Sequence, residues 1–347
     1  MNWNRTLIIP VVLIIALFSF FAKFNSQRQD ILVVHSYFSD YSWTNDVSEG
    51  MKQVFGGQTN FKVHFHYMDT KRHPTEDFRR KAGAMTRQLI DAMQPKVIIC
   101  IDDDAQKFVG SYYKNSPNIS VIFGGVNAKE GSYGYDASAK NVTGVYERLP
   151  LQGLSETIQM LSKDRIQNRE IKIAHISDTS STVKADDVHI HDFKNWGNIK
   201  LEKSKLVTTF AEWKKAILSA NKELDFIVIS NYRAIQKQED NPDVLVSPAA
   251  VMKWTMKNAT IPVIGLNGFV VEEGAGVAVA ASPYEQGEIT ARMALDIIVN
   301  GKVASDIPSK FTEQFVVALN ETALKNSNLQ VQQIYTAFSK IAKRYYK

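Results

Sequence analysis

Short apolar runs rich in β-branched residues recur along the chain, each giving way to a polar loop and then to a helical period. The first is Ile31-Leu-Val-Val34, suited to a strand buried on both faces. His35, Ser36, Tyr37, Asp40, Tyr41 and Trp43 follow it directly. A helix is predicted next, with Trp43, Val47, Met51 and Val54 on one face and Thr44 as its cap. Phe61–Met68 alternates with period two and predicts a second strand. Pro74-Thr-Glu-Asp77 opens a long helix to about Met93, capped by Thr75. Val97–Ile101 is a third strand, and Asp102–Phe108 opens another helix. Ile119–Phe123 is a fourth strand, ending in Gly124-Gly-Val-Asn127, and Asn141–Val145 a fifth apolar stretch. Regular β-α-β-α alternation builds a parallel sheet with crossover helices.

The alternation begins afresh after Pro150. Leu151–Leu161 reads as an amphipathic helix and Ile171–Ile176 as a strand ending in Ser177-Asp-Thr-Ser-Ser181. A helix to about Trp196 leads to a strand near Ile199–Leu206, and Thr209 with Glu212 forms a capping-box pair for a helix to about Asn221. Phe226–Ile229 and Ile261–Leu266 are strands, and Ser247 and Pro248 start the helix between them. Val277–Ala280 is a short strand, Ser282–Glu285 caps a helix to Asn300, and Phe315–Leu319 is the last strand. The tail to Lys347 reads as helical with a basic end. Two successive α/β halves predict two lobes joined near Val145–Pro150, with no sequence repeat relating them.

The N-terminus departs from this pattern. Arg5 precedes an uncharged stretch, Thr6 to Ala22, that would span roughly 25 Å as a helix. Lys23 can snorkel and let Phe24 extend the apolar length. An uncleaved membrane anchor and a cleaved signal both fit residues 1–29. The anchor is favoured, because no small-x-small cleavage site stands near Ser19–Ser26. Either way the remainder is expected outside the cytoplasm, in the periplasm.

Composition narrows the reading little further. With 44% hydrophobic and 22% charged residues, the chain is globular. The formal net charge is +5, but Arg5, Lys23 and Arg28 precede every acid, so the remainder carries only about +2. That balance, with no basic-aromatic stripe, argues against nucleic acid as a partner. The single Cys100 sits inside the apolar run Val97–Ile101 and reads as a buried small hydrophobe. His64 and His66 share a strand face and His189 and His191 do not share a helix face; no metal site is expected from either pair, and no cofactor. No phosphate-binding lysine loop, nucleophile elbow or His-Glu-x-x-His motif is present.

Several stretches together resemble known proteins. His35-Ser-Tyr37, Tyr41-Ser-Trp-Thr-Asn-Asp46, Met68-Asp-Thr-Lys-Arg72, Asp102-Asp-Asp-Ala105 and Phe123-Gly-Gly-Val-Asn127 resemble extracytoplasmic sensing domains of bacterial histidine kinases and cyclic-dinucleotide enzymes. Asn141-Val-Thr-Gly-Val145, Ile261–Glu273 and Ser282–Gly287 resemble the wider family of ABC-transporter substrate-binding proteins, which includes aromatic amino-acid binders. The resemblance implies an α/β fold of the type I periplasmic-binding-protein kind: two Rossmann-like lobes with parallel sheets, a multi-strand hinge and a ligand in the cleft. It divides the chain into 1–29, an N-terminal lobe of 30–147 with 281–304, and a C-terminal lobe of 148–280 with 305–347. Asn267 and Gly268 stand where acidic residues are common in the transporter group, which puts the charge preference of the ligand in doubt.

Ligands of open α/β sheets sit beyond the carboxyl ends of strands. The candidates are therefore Ser36, Tyr37, Tyr41, Trp43, Asp102, Asp103, Gly125 and Asn127 from the first lobe. The second supplies Asp178, Thr179, Asn231, Tyr232, Arg233 and Asn267. Tyr37, Tyr41 and Trp43 would form an aromatic wall, though helical spacing also suits Trp43 to the core. Arg233 suits a bidentate grip on a carboxylate, or is a solvated loop arginine. Asp102–Asp104 would receive an ammonium group, while at least one of them caps the following helix. Gly124 and Gly125 allow backbone to approach a ligand, or make a plain tight turn. The expected function is a non-catalytic solute-binding protein, closing around a small polar or zwitterionic ligand and presenting its closed state to an ABC transporter permease. A membrane-anchored sensing subunit signalling to a separate kinase or cyclase is the alternative. An enzyme on a doubly wound sheet is the third reading.

Overall fold

A computed structural model describes Ile14 and residues 29–347, apart from Pro74, Asp164, Glu239, Asp240 and Asn328. Most of the expected anchor or signal segment therefore lies outside the described residues, among which no helix is long and apolar enough to cross a membrane. The chain divides into two compact units. The first comprises Met1–Val126, Glu130–Val145 and Gln286–Ser309; the second comprises Asn127–Lys129, Tyr146–Glu285 and Lys310–Lys347.

In the first unit, β1 (Gln29–His35), β2 (Phe61–Tyr67), β3 (Val97–Ile101), β4 (Ser120–Val126) and β5 (Val142–Tyr146) form a sheet in the order β5-β4-β3-β1-β2. The pairs β1·β2, β1·β3 and β3·β4 are parallel. All five residues of β3 are buried, as a strand covered on both faces requires, and Cys100 among them is fully enclosed. Burial pushes its thiol up to about 12. The helix Ser42–Phe55 places Val47, Met51 and Phe55 against this sheet's core. Thr44 does not cap it: the helix starts two residues earlier, Tyr41 holds the cap position through its carbonyl to Asn45 N (2.9 Å), and Thr44 is buried in the first turn. Thr75 does cap the helix Glu76–Met93, accepting from Phe78 N at 3.3 Å.

The second unit holds β6 (Ile171–Ser177), β7 (Ile199–Leu201), β8 (Lys205–Leu206), β9 (Phe226–Ile229), β10 (Gln236–Gln238), β11 (Asn241–Leu245), β12 (Val263–Gly265), β13 (Val277–Ala281), β14 (Lys310–Phe311), β15 (Phe315–Asn320) and β16 (Tyr345–Tyr346). Its main sheet runs β16-β15-β13-β12-β9-β6-β7, with β8 also paired to β6. β13 and β15 are antiparallel, whereas β12·β13, β12·β9, β15·β16, β6·β7 and β6·β9 are parallel. Thr209 and Glu212 form the expected capping box.

Three local expectations are corrected here. The strand near Ile199–Leu206 is two short pieces, interrupted at the polar run Glu202-Lys-Ser204. The strand before Asn267 begins only at Val263, since Pro262 has no N–H to give and contributes just its carbonyl, to Ile227 N at 2.9 Å. The tail is helical only over Gln333–Ile341 and ends as β16, parallel to β15. The antiparallel pair β10·β11 was not foreseen, because its residues show neither alternation nor an apolar run.

Candidate functional site

In the first unit the strand-end candidates sort into frame and surface. Ser36 is frame. Its hydroxyl donates to Ile101 O (2.7 Å) and accepts from Ala105 N (2.8 Å), and the residue is fully buried. It thereby performs the helix-capping task expected of the acids, none of which does so: Asp102 occupies the cap position without a side-chain cap bond. Asp102 is instead held at φ 66°, ψ 166°, a conformation natural to glycine, with its carboxyl group almost wholly enclosed. Its N–H donates to Gly124 O at 2.8 Å.

Gly125 lies against this junction at φ +64°, and a Cβ there would come within 3.3 Å of Asp102 Oδ1 and 3.5 Å of Trp43 Cζ2. The side-chain carbonyl of Gln286 accepts from Gly125 N at 2.9 Å, fixing the turn. Trp43 is half-buried, packed on the first unit's core, and its indole N–H has no hydrogen-bond partner among the described residues. The two readings of Trp43 are thus compatible: one face is core, the other meets the Asp102–Gly125 turn.

Tyr37 and Tyr41 meet edge to face at 5.7 Å, and Lys71 Nζ stands 4.4 Å and 4.1 Å above their rings while donating to Tyr41 Oη at 2.8 Å. Burial, and then the charges of Asp102 and Asp104, raise the Tyr37 hydroxyl well above its ordinary value, so it is protonated and a donor. Asp103 accepts from Tyr133 Oη at 2.7 Å, and Asp104 pairs with Arg79 at 3.4 Å. Lys71, Tyr133 and Gln286 were not singled out from the sequence. Lys71 and Gln286 lie inside the Met68–Arg72 and Ser282–Gly287 stretches that carry the resemblance, whereas nothing local marks a tyrosine in a Gly- and Ser-rich loop.

The second unit uses most of its candidates to brace loops. Asp178 is fully buried and both carboxylate oxygens are taken by backbone, from Ser180 N and Ala234 N, each at 2.9 Å. Asn231 Oδ1 accepts from Tyr232 N (2.9 Å) and Arg233 N (3.1 Å). Tyr232 is core: it is fully buried between Trp213 and Phe269 and donates to Glu273 at 2.7 Å. Arg233 already grips a carboxylate, that of Glu273, and lies 4.4 Å over the Phe269 ring. Neither the ligand grip nor the solvated loop anticipated it. Thr179 is half-buried and 3.4 Å from the Thr208 hydroxyl. Asn267 donates to Ser230 O at 2.9 Å. Asn127 belongs by its contacts with this unit, donating to Glu147 at 3.2 Å.

Beneath these loops runs a polar network invisible in the sequence. His175 Nδ1 meets Asp187 at 2.8 Å, and its Nε2 faces Ser177 Oγ at 2.8 Å and Ser230 Oγ at 3.0 Å. The order Asp–His–Ser is that of a nucleophilic triad. Yet both serines are fully buried, and Ser177 Oγ also accepts from Ser230 N at 3.0 Å. The network ties the ends of β6 and β9 together. Among the described residues no cluster of three or more His, Cys, Asp or Glu could hold a metal ion.

Two α/β units with largely parallel sheets carry their polar loops at strand ends, where open α/β sheets place ligands. The family described as ABC transporter substrate binding protein matches residues 43–341, and the chain belongs to it. Its members are substrate-binding proteins of ABC transporters. No curated protein sequence matches the chain. Among solved structures, the ligand-free, open form of a substrate binding protein with adhesive properties from Clostridium difficile is similar at TM-score 0.63 and 18% identity, covering 88% of this chain and 96% of that one. A conserved domain protein from Vibrio cholerae gives 0.60 and 16%, with 92% and 99% covered. An ABC domain from Streptococcus pneumonia in complex with L-Trp gives 0.59 and 14%, with 89% and 98% covered. The fold is that of the type I periplasmic binding proteins.

Proposed function

We propose that the protein captures a small polar or zwitterionic solute, amino-acid-like or aromatic in character, outside the cytoplasm and delivers it to the permease of an ABC transporter. Residues 1–29 direct the export and tether the chain at the membrane. The observation that carries the ligand reading is the Asp102 junction. A buried carboxylate is held in a glycine-like conformation against Gly125 and Trp43, beside the Tyr37–Tyr41–Lys71 group. Backbone strain of this kind persists where surrounding structure enforces it, and it concentrates at ligand sites.

In this reading Tyr37, Tyr41 and Trp43 form the wall, Asp102 and Asp103 orient a positively charged or hydroxyl group, and Gly125 lets the ligand approach the backbone. Ser36, Asp178, Asn231, Tyr232 and Arg233 hold the loops in place. Ligand binding shifts an opening and closing equilibrium that the permease reads. The L-Trp found in the pneumococcal relative supports an amino-acid ligand. The test is a thermal-shift screen of the protein against amino acids, nucleosides, polyamines and small carboxylates. A true ligand at 100 times its Kd adds about 2.7 kcal/mol of stability. Tyr37→Ala and Asp102→Ala should each abolish the gain; full retention in both removes the site assignment.

A further inference from the structure

We propose that the C-terminal helix Gln333–Ile341 seats the second unit on an anionic lipid surface. The helix is turned inside out. Ile334, Phe338 and Ile341 are 52%, 60% and 77% exposed, and with the exposed Ala337 they form an i, i+3, i+4, i+7 stripe along one face. The inward face is made by Tyr335, packed on the second unit's core, and by buried Ser339, whose hydroxyl donates to Arg344 O at 2.8 Å. A 9-residue helix with its three large aliphatic and aromatic residues in solvent is a docking face, not a packing accident.

Charge identifies the occupant. No residue after Lys325 is acidic, while Lys340, Lys343, Arg344 and Lys347 are basic. Arg344 turns inward to Glu272 at 3.3 Å; the three lysines are exposed, Lys340 on the helix itself, 4.8 Å over the Tyr345 ring, and Lys343 and Lys347 in the segment that follows it. Two copies meeting through this face would bring like charges together. A bilayer with anionic headgroups offers hydrocarbon to the stripe and negative charge to the lysines at once, which is how interfacial helices bind.

The test uses the full chain carrying Ala337→Cys, labelled there with an environment-sensitive NBD dye; Cys100 is fully buried and leaves the label site-specific. On phosphatidylcholine vesicles with 30% phosphatidylglycerol, NBD emission should rise at least twofold and shift to the blue. Adding Ile334→Ser, Phe338→Ser and Ile341→Ser should abolish the rise with an unchanged melting temperature, since these side chains lie in solvent. Lys340→Glu with Lys343→Glu and Lys347→Glu should do the same. Emission that stays aqueous on anionic vesicles overturns the proposal. So does an equal rise on pure phosphatidylcholine, or a vesicle-free rise that grows with protein concentration, which would mark a second copy as the occupant.

Discussion

Arg233 and Glu273 are bound to each other: Nη2 of the arginine lies 2.5 Å from Oε1, while the Tyr232 hydroxyl donates to Oε2 of the same carboxylate at 2.7 Å. Glu273 thus accepts from both a partly exposed cation and a fully buried phenol. Glu273→Ala should cost about 2 kcal/mol, chiefly because a buried hydroxyl loses its acceptor. Tyr232→Phe in the Glu273→Ala background should then cost much less than it does alone. Urea unfolding of the four members of that cycle measures the coupling.

Asp102 sets stability against function. Its φ 66°, ψ 166° conformation is natural only to glycine, so Asp102→Gly should stabilise the unliganded protein by about 1 kcal/mol. The same change should erase most of the ligand-dependent thermal shift. Equal melting temperatures with and without the carboxylate would show that the junction stores no strain.

Two glycines should respond oppositely to alanine. A Cβ on Gly287, in the helix Pro283–Ile298, would fall 1.9 Å from the carbonyl oxygen of Val47, a backbone atom that cannot step aside. Gly287→Ala should therefore destabilise by about 2 kcal/mol despite the better helix propensity of alanine. Gly268 has helical φ and ψ and open space where its Cβ would be, so Gly268→Ala should stabilise by about 0.5 kcal/mol. Chemical denaturation of both variants checks the contrast.

The course of the chain through β1, β3 and β9 was legible because doubly covered strands must be largely continuous apolar runs. Polar roles were not legible in the same way. Ser36 and Asp102 look equally fit to bind a ligand when read along the sequence, but only the fold shows Ser36 reaching Ala105, distant in sequence, to cap its helix. Arg233 and Glu273 are likewise far apart in the chain, and no local signal says that the arginine's carboxylate is internal. Apolar periodicity is a local property, whereas the pairing of polar groups is decided by which loops the sheet order brings together.

Two buried titrations should oppose each other in the pH dependence of stability. Asp186 is pushed up to about 7, first by burial and then by the charges of Asp178 and Asp187, with a hydrogen bond to Ser230 working the other way. Its folded form keeps a proton that the unfolded chain has lost above about pH 4, so stability from this group falls as pH rises from 4 to 7, by up to roughly 4 kcal/mol. His35 behaves inversely. Burial lowers it to about 3, its Nε2 lies 3.1 Å from Ser48 Oγ, and its ring stacks on Tyr67 at 5.3 Å. The unfolded chain binds the histidine proton below about pH 6.5 and the folded one does not, so this group's contribution rises with pH from 3 to 6.5. The two slopes largely cancel in the native protein. Asp186→Asn should remove the falling term and leave stability climbing steeply between pH 4 and 6.5, while His35→Gln should expose a decline over the same interval. Urea midpoints at half-unit pH steps would show it, and parallel profiles for native protein and Asp186→Asn would mean that Asp186 titrates as an ordinary carboxylate.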